Sequence, residues 1–393
     1  MISFEEAQEL LLNNISLCSS TKQIALTNAL HRTVAKDIIA PISMPPFNQS
    51  AMDGYAICIS PNETSYSVIG EIKAGDPATI TLNKGQAVRI FTGAQVPDTA
   101  QAVIPQENVT VSGNHINIDV PIVENANIRL LGEQIKQGTV ALQEKTKLNP
   151  AAIGYLTSLG ITDIEIFKKI NVTVIVTGNE LITPGTKLPE GSIYESNSIM
   201  LKTALEATQN VSCFISKVKD NLEATINTID KAITSSDIVI LTGGISVGDY
   251  DFVSLALEKL SVKKVFYKVK QKPGKPLYFG KKDDVAIFAL PGNPAAALTC
   301  YYNYVHTYIH KALGNKTPPL SIVYLPSLSN YKKKGTRAQF LKAYYDNTGV
   351  MILEGQSSAM LNTYALSNAY VYIDESKTEI TKGEEVKTIL LPS

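Results

Sequence analysis

Two lysines three residues apart are locked between prolines and a glycine in Lys272-Pro273-Gly274-Lys275-Pro276. Such a segment cannot coil into a helix, and a backbone with little freedom left to lose presents two ammonium groups at low entropic cost. It is either an anion clamp or a solvated basic turn. The run Thr242-Gly243-Gly244-Ile245-Ser246-Val247-Gly248-Asp249-Tyr250-Asp251 offers complementary chemistry. Paired glycines allow close backbone approach and supply N–H donors, and Ser246 adds a hydroxyl. A helix starting near Asp251–Phe252 would aim its N-terminus at the same place. This suits a phosphate or a nucleotide; the plainer alternative is a tight strand-to-helix turn. Four acids, Glu180, Asp220, Asp249 and Asp251, can share Mg²⁺ through one or two carboxylates plus a substrate phosphate. They can equally cap helices, and Asp220, ahead of Asn221-Leu222, is the best cap candidate of the four. Beside a glycine-rich, acidic rim, the anion clamp becomes the better reading of the two lysines.

Several familiar chemistries are absent from the sequence. There is no G-x-x-x-x-G-K-[ST] loop, no G-x-G-x-x-G after a strand and no G-x-S-x-G elbow. His31, His115, His306 and His310 fall outside the motifs, and His306 and His310, four apart, read as a helix-surface pair. Cys18, Cys58, Cys213 and Cys300 have no metal-ligand spacing. Cys213 and Cys300 sit in apolar runs and read as buried thiols, which points to a reduced, cytoplasmic setting.

These residues must be positioned by a regular frame, and residues 168–315 supply its rhythm. Strand-like runs Val172–Thr177, Val211–Val218, Ile238–Thr242, Val265–Val269 and Val285–Leu290 alternate with helical patterns at Ser198–Thr208, Leu222–Ser235, Phe252–Leu260 and Pro294–Leu313. The alternation predicts a doubly wound, mostly parallel sheet covered on both faces, with strand C-terminal ends on one ligand-binding rim. Thr177-Gly178-Asn179-Glu180-Leu181, Asp220, the Gly243-Gly244 run and Pro291-Gly292-Asn293-Pro294 each follow a strand directly. Residues 41–136 change character: short alternating stretches (Tyr66–Ile72, Ala87–Phe91, Ala102–Pro105, His115–Val120) between turn residues predict a small β-rich module. Residues 1–40 read as helical, with Phe4, Ala7, Leu10 and Leu11 on one face and Ile24–Val34 as a second element. A further helix, Ala151–Leu159, ends at Gly160. Residues 316–393 are strand-rich and read as a small C-terminal β domain.

Bulk composition narrows the partners. Of 393 residues, 44% are hydrophobic and 18% charged, which suits a folded chain of several domains. Lys+Arg and Asp+Glu both total 36, so no bulk basic field draws the chain to nucleic acid or an anionic membrane. An anion site must be built locally. The acidic start lacks the pattern of a signal peptide, and no apolar run reaches the roughly 20 residues of a membrane span.

Assembled in order, the segments SAMDGYA (50–56), RIFTGA (89–94), QE (106–107), IRLLGE (128–133), TGNEL (177–181), SIYESNS (192–198), TGGISVGDYDF (242–252), KPGKP (272–276) and LPGNP (290–294) resemble the MoeA family of molybdopterin molybdenumtransferases, shared by the E domain of gephyrin and plant Cnx-type proteins. The resemblance implies four domains: helical 1–40 with 137–167, an inserted β domain 41–136, an α/β domain 168–315 and a C-terminal β domain 316–393. It implies a homodimer whose active cleft lies between the α/β domain of one subunit and the inserted domain of the other. Transient contact with other enzymes of molybdenum-cofactor synthesis fits the same picture. The implied substrates are adenylylated molybdopterin and molybdate, with Mg²⁺ helping to release AMP. Asp53 and Thr92 would line the cleft from the inserted domain, and Glu180, Asp220 and Asp251 would be the acidic set. Gly243, Gly244 and Ser246 would contact nucleotide or phosphate, Lys272 and Lys275 would hold phosphate or molybdate, and Pro291 and Asn293 would shape the rim. Two departures lower the negative charge: Gln134 and Asn179 stand where the family commonly has Asp. A molybdopterin adenylyltransferase and a gephyrin-like scaffold are the rival readings.

Overall fold

A computed structural model describes residues 1–245, 252–315 and 318–392. The chain forms two compact units: Met1–Lys22, His31–Ala35 and Ile166–Ser393 make the first, and Gln23–Leu30 with Lys36–Glu165 the second.

The first unit is built on a six-stranded sheet of β1 (Ile170–Thr177), β2 (Val211–Val218), β3 (Ile238–Thr242), β4 (Lys263–Tyr267), β5 (Tyr278–Lys282) and β6 (Val285–Leu290), in the order β2-β1-β3-β6-β5-β4. β1, β2, β3 and β6 run parallel. Their side chains alternate between two cores. Val172, Val174, Val176, Ile240 and Phe288 face Leu201 and Leu205 of α2 (Asn197–Glu206) and Tyr301 and Tyr304 of the helical run after Pro294. Ile175, Val239, Leu241 and Ile287 face Ile229 and Ile233 of α3 (Leu222–Ser235) and Val253 and Leu257 of α4 (Phe252–Lys259). β3 and β6 are buried on both faces and so read as continuous apolar runs, whereas the edge strand β2 leaves Phe214 and Ile215 exposed. The expected run Pro294–Leu313 is helical as α5 (Pro294–Cys300), a π turn Tyr301–Val305 and α6 (His306–Ala312).

Two expectations shift here. The strand expected at Val265–Val269 lies two residues earlier, as β4. An additional strand, β5, pairs antiparallel with β6 through the turn Asp283-Asp284, where Asp283 adopts φ 52. β5 ends in Lys281-Lys282 and has no clean period, so only its pairing reveals it.

The same unit carries a second sheet near its C-terminus, in the order Gln271–Lys272, Ala338–Asp346, Ala369–Ile373, Glu385–Leu390, Ile322–Pro326. Its first strand is the start of the lysine-proline segment: Gln271 pairs with Ala338 and Lys272 with Gln339.

The second unit holds the expected β module, a six-stranded sheet in the order Ala102–Pro105, Gly54–Ile57, Gln86–Ile90, Ser65–Ile72, His115–Ile118, Val109–Ser112. The expected helical N-terminal domain is not found. α1 (Phe4–Leu12), capped by the Ser3 hydroxyl on Glu6 N–H at 3.0 Å, belongs to the first unit, and helix Pro150–Ser158 to the second. Ile24–Val34 is not helical. Strand Thr21–Ala25 leads into a short 3₁₀ turn, Leu26–Asn28, and His31 at φ 64 reverses the chain. β-Branched residues and a left-handed backbone position override the apolar spacing that suggested a helix.

Among the described residues, no helix is long and apolar enough to cross a membrane. All four cysteines are free, and Cys213 and Cys300 are buried. Burial pushes the Cys213 thiol up to about 11 and the Cys300 thiol higher still, so both are inert at neutral pH. His306 and His310 are half-buried on α6 rather than on the surface. No group of three or more His, Cys, Asp or Glu able to hold a metal occurs among the described residues.

Candidate active site

Strand register decides what meets at the sheet rim. Thr177 sits beside Val218, Val176 beside Thr242, and Thr242 beside Leu290, so four strand C-terminal ends open on one edge. They frame a cleft of 780 Å³ lined by Gly178, Glu180, Asp220, Gly243, Gly244, Pro291 and Asn293, among others. That volume is in the range of small-molecule sites.

The floor of this cleft depends on glycine. Gly243 (φ 89) and Gly244 (φ 62) are both left-handed, and a Cβ on Gly243 would meet Thr177 O at 2.8 Å. The Thr177 hydroxyl, in a residue only 5% exposed, lies beneath the turn with no hydrogen-bond partner among the described residues. The Asn197 side chain, at the start of α2, donates to Thr242 Oγ1 and Gly292 O, both at 2.8 Å. It thereby ties the glycine turn to the Pro291–Pro294 turn. Glu195 is buried and accepts from Ser198 N (2.8 Å) and Ser198 Oγ (2.5 Å), fixing the entry to α2.

The acids separate. Asp220 is not the helix cap: Asn221 takes that role, accepting from Ala224 N at 3.0 Å, because it stands one residue closer to α3 with extended backbone. Asp220 Oδ2 instead accepts from Asn179 N (3.1 Å), and Asn179 Oδ1 accepts from Asp220 N (3.3 Å). This reciprocal pair latches the ends of β1 and β2. Asn179 therefore does with an amide oxygen what a carboxylate would do there, and one negative charge is saved. Glu180 is exposed at the cleft. Ser246, Asp249 and Asp251 lie outside the described residues.

A second cleft, of 660 Å³, shares Pro276, Pro291 and Asn293 with the first. Lys272, Lys275, Lys332, Lys334 and Arg337 line it, and no carboxylate does among the described residues. A chain of zero net charge has thus gathered five cations around one hollow. The lysine-proline segment is held firmly. The fully buried Gln271 donates to Pro273 O (3.1 Å) and accepts from Tyr304 OH (2.5 Å), and Arg337 donates to Gln271 O (3.2 Å). Gly274 (φ 92) leaves no room for a Cβ, which would lie 2.5 Å from Cys300 Sγ. The backbone of this segment is therefore pinned, and Lys275 is exposed at the cleft.

Arg337, Lys332, Lys334 and Asn197 were missed by sequence reasoning. For the first three there was a signal, the basic run Lys332-Lys333-Lys334-Gly335-Thr336-Arg337, but nothing local connects it to residues 272–276.

In the second unit, Asp53 Oδ1 accepts from Thr92 N (2.7 Å) and Thr92 Oγ1 (2.8 Å). Those two bonds, with the nearby Arg89 guanidinium, hold the Asp53 carboxyl below the usual carboxylate value. Arg89 lies over the rings of Tyr55 and Phe91 and donates to Gly54 O and Gln106 Oε1. Gly54 admits no side chain, since a Cβ would stand 2.0 Å from Ile104 O. The glycine after Asp53 is thus demanded by strand packing. Glu133 accepts from Leu130 N at 3.1 Å, and Gln134 is exposed.

Residues 2–160 match the MoeA N-terminal region (domain I and II), residues 173–311 a probable molybdopterin binding domain, and residues 324–391 the MoeA C-terminal region (domain IV). The molybdopterin molybdenumtransferase of Haemophilus influenzae is 34% identical, with 98% of each chain covered. That of Staphylococcus epidermidis is 32% identical, covering 94% of this chain and 91% of the relative. The crystal structure of the molybdopterin biosynthesis moeA protein from Pyrococcus horikoshii superimposes with a TM-score of 0.87 at 30% identity, over 99% of this chain and 100% of that one. The chain belongs to the MoeA family.

Proposed function

We propose that this chain is a molybdopterin molybdenumtransferase, inserting molybdenum from molybdate into adenylylated molybdopterin with release of AMP. The observation that carries this reading is the pair of adjoining clefts, one glycine-rich and acidic, the other basic, with a shared wall of Pro276, Pro291 and Asn293. In this reading the nucleotide phosphates lie against the backbone of Gly243 and Gly244, where N–H donors can be offered without side-chain obstruction. Molybdate, a dianion, takes the basic cleft, where Lys272, Lys275 and Arg337 hold it by charge-assisted hydrogen bonds. The dithiolene that receives the metal belongs to the substrate, so no cysteine of the chain is required. Asp53, kept ionised by Thr92 in the second unit, is a further catalytic residue of this proposal.

Magnesium fits the donor set. Glu180 and Asp220 are hard oxygen donors at neighbouring strand ends and would hold the ion. When bound, it supplies charge neutralisation on the phosphoanhydride being broken. Asp249 and Asp251 belong to the same proposed acidic set. The Asn179–Asp220 latch orients the Asp220 carboxylate, leaving Oδ1 for a ligand. The four-domain division given above, a homodimeric assembly and a cytoplasmic setting are part of the same proposal; free cysteines support the last.

The test is a turnover comparison with the purified chain. Adenylylated molybdopterin plus molybdate should give AMP and active cofactor, while molybdopterin plus ATP should give no adenylylated product. The reverse pattern would make the chain an adenylyltransferase, and binding without turnover of either pair would favour a scaffold.

A further inference from the structure

Lys342 lies in neither cleft, yet it is 3% exposed and carries a charge. Its ammonium has no carboxylate partner among the described residues. All three of its N–H bonds are spent on carbonyls of one loop: Gly355 O (2.7 Å), Met360 O (2.9 Å) and Ser357 O (3.2 Å). Burying an uncompensated cation is costly, and three convergent carbonyl dipoles offset that cost only while the loop keeps its curvature. The fastening is doubled by Gln356. Its Oε1 accepts from Lys342 N (2.9 Å), and its Nε2 donates to Lys342 O (2.9 Å) and Leu353 O (2.7 Å).

The outer side of this loop faces both clefts. Gln356, Ser357 and Ser358 line the basic one, and Ala359 lines the glycine-rich one. Ser358 Oγ accepts from Asn293 Nδ2 (2.9 Å), and Ser358 O accepts from Ala296 N (3.2 Å) in the first turn of α5. The strand that carries Lys342, Ala338–Asp346, also pairs with Gln271–Lys272, the root of the two-lysine segment. One strand thus supports two parts of the lining of the basic cleft.

We propose that Lys342 is a positioning residue for the oxyanion: without touching the ligand, it sets the curve of residues 355–360 and hence the placement of Ser357 and Ser358 against the cationic wall. The inference rests on reading the basic cleft as the molybdate site. Loosening such a support shifts neighbouring groups by fractions of an ångström, enough to weaken binding severalfold or more without deleting any ligand contact.

The experiment compares the full-length chain with Lys342→Met, measuring molybdate binding by calorimetry, backbone amide exchange by mass spectrometry and steady-state turnover. The expected result is molybdate affinity weakened about tenfold, exchange accelerated within 355–360, and KM for molybdate raised far more than kcat is lowered. A folded Lys342→Met chain with unchanged affinity and unchanged exchange in that loop overturns the proposal. If Lys342→Met fails to fold, Lys342→Gln, which keeps an N–H donor but not the ammonium, is judged by the same criteria. A wild-type chain that does not bind molybdate refutes the functional reading instead, and loop exchange in the variants still decides the role of Lys342.

Discussion

Replacing Arg337 with methionine removes one of the five cations of the basic cleft while keeping a side chain of comparable length. A hydrogen bond to a charged group contributes about 1.5–3 kcal/mol. Arg337 is half-buried rather than enclosed, so the lower figure applies, and about 1.5 kcal/mol corresponds to roughly tenfold weaker molybdate binding. Lys332 and Lys334 are exposed, and each should contribute no more than about 1 kcal/mol, or roughly fivefold. Arg337 also donates to Gln271 O at 3.2 Å, so its loss should cost about 1 kcal/mol of stability, visible in thermal unfolding. Calorimetric titration of molybdate into Arg337→Met, Lys332→Met and Lys334→Met, at low and high salt, separates these contributions. The lysine effects should fade with salt, and the arginine effect should persist in larger part. Wild-type affinity in Arg337→Met, or equal losses in all three variants, would refute the argument that Arg337 is a specific contact within a general basic field.

Two further outcomes follow from local geometry. Gly243→Ala places a Cβ 2.8 Å from Thr177 O at a left-handed backbone position, so stability should fall by about 1–2 kcal/mol and AMP affinity should drop; calorimetry and a thermal melt check both. Thr92→Val keeps one of the two bonds to Asp53 and deletes the other. Since the Asp53 carboxyl is held below its usual value, its favourable interaction with Thr92 is present above the ordinary carboxylate range and is lost as pH falls through the lowered value. In Thr92→Val that value moves up, so the acid limb of activity governed by Asp53 should shift to higher pH. Carbon-13 NMR titration of the Asp53 carboxyl reads the shift directly, and an unchanged titration would defeat it.

How much of this was legible beforehand depended on the range of the interaction. β1 from Val172 onward, β3 and β6 are buried on both faces, so each reads as a largely apolar run followed at once by glycine or proline. Parallel register then brought Glu180, Asp220, Gly243 and Asn293 to one rim, as the strand-end argument required. What failed was either very local or very remote. Asp220 lost the cap to Asn221 because caps are decided by a single residue's backbone angles. Ile24–Val34 had helical spacing but a left-handed residue, His31, that spacing cannot reveal. The pairing of Gln271–Lys272 with Ala338–Gln339, and with it the recruitment of Arg337 and residues 356–358, joins segments some 65 to 85 positions apart in the sequence. No periodicity encodes such a meeting, although the basic run at 332–337 was in plain view.

The most direct measurement is anomalous diffraction at the molybdenum edge from crystals grown with AMP and molybdate. The molybdenum signal should stand among Lys272, Lys275 and Arg337, with the AMP phosphate against Gly243 and Gly244 across the wall of Pro291 and Asn293. Molybdenum beside Glu180 and Asp220, or AMP seated in the lysine-lined hollow, would contradict the division of labour between the two clefts.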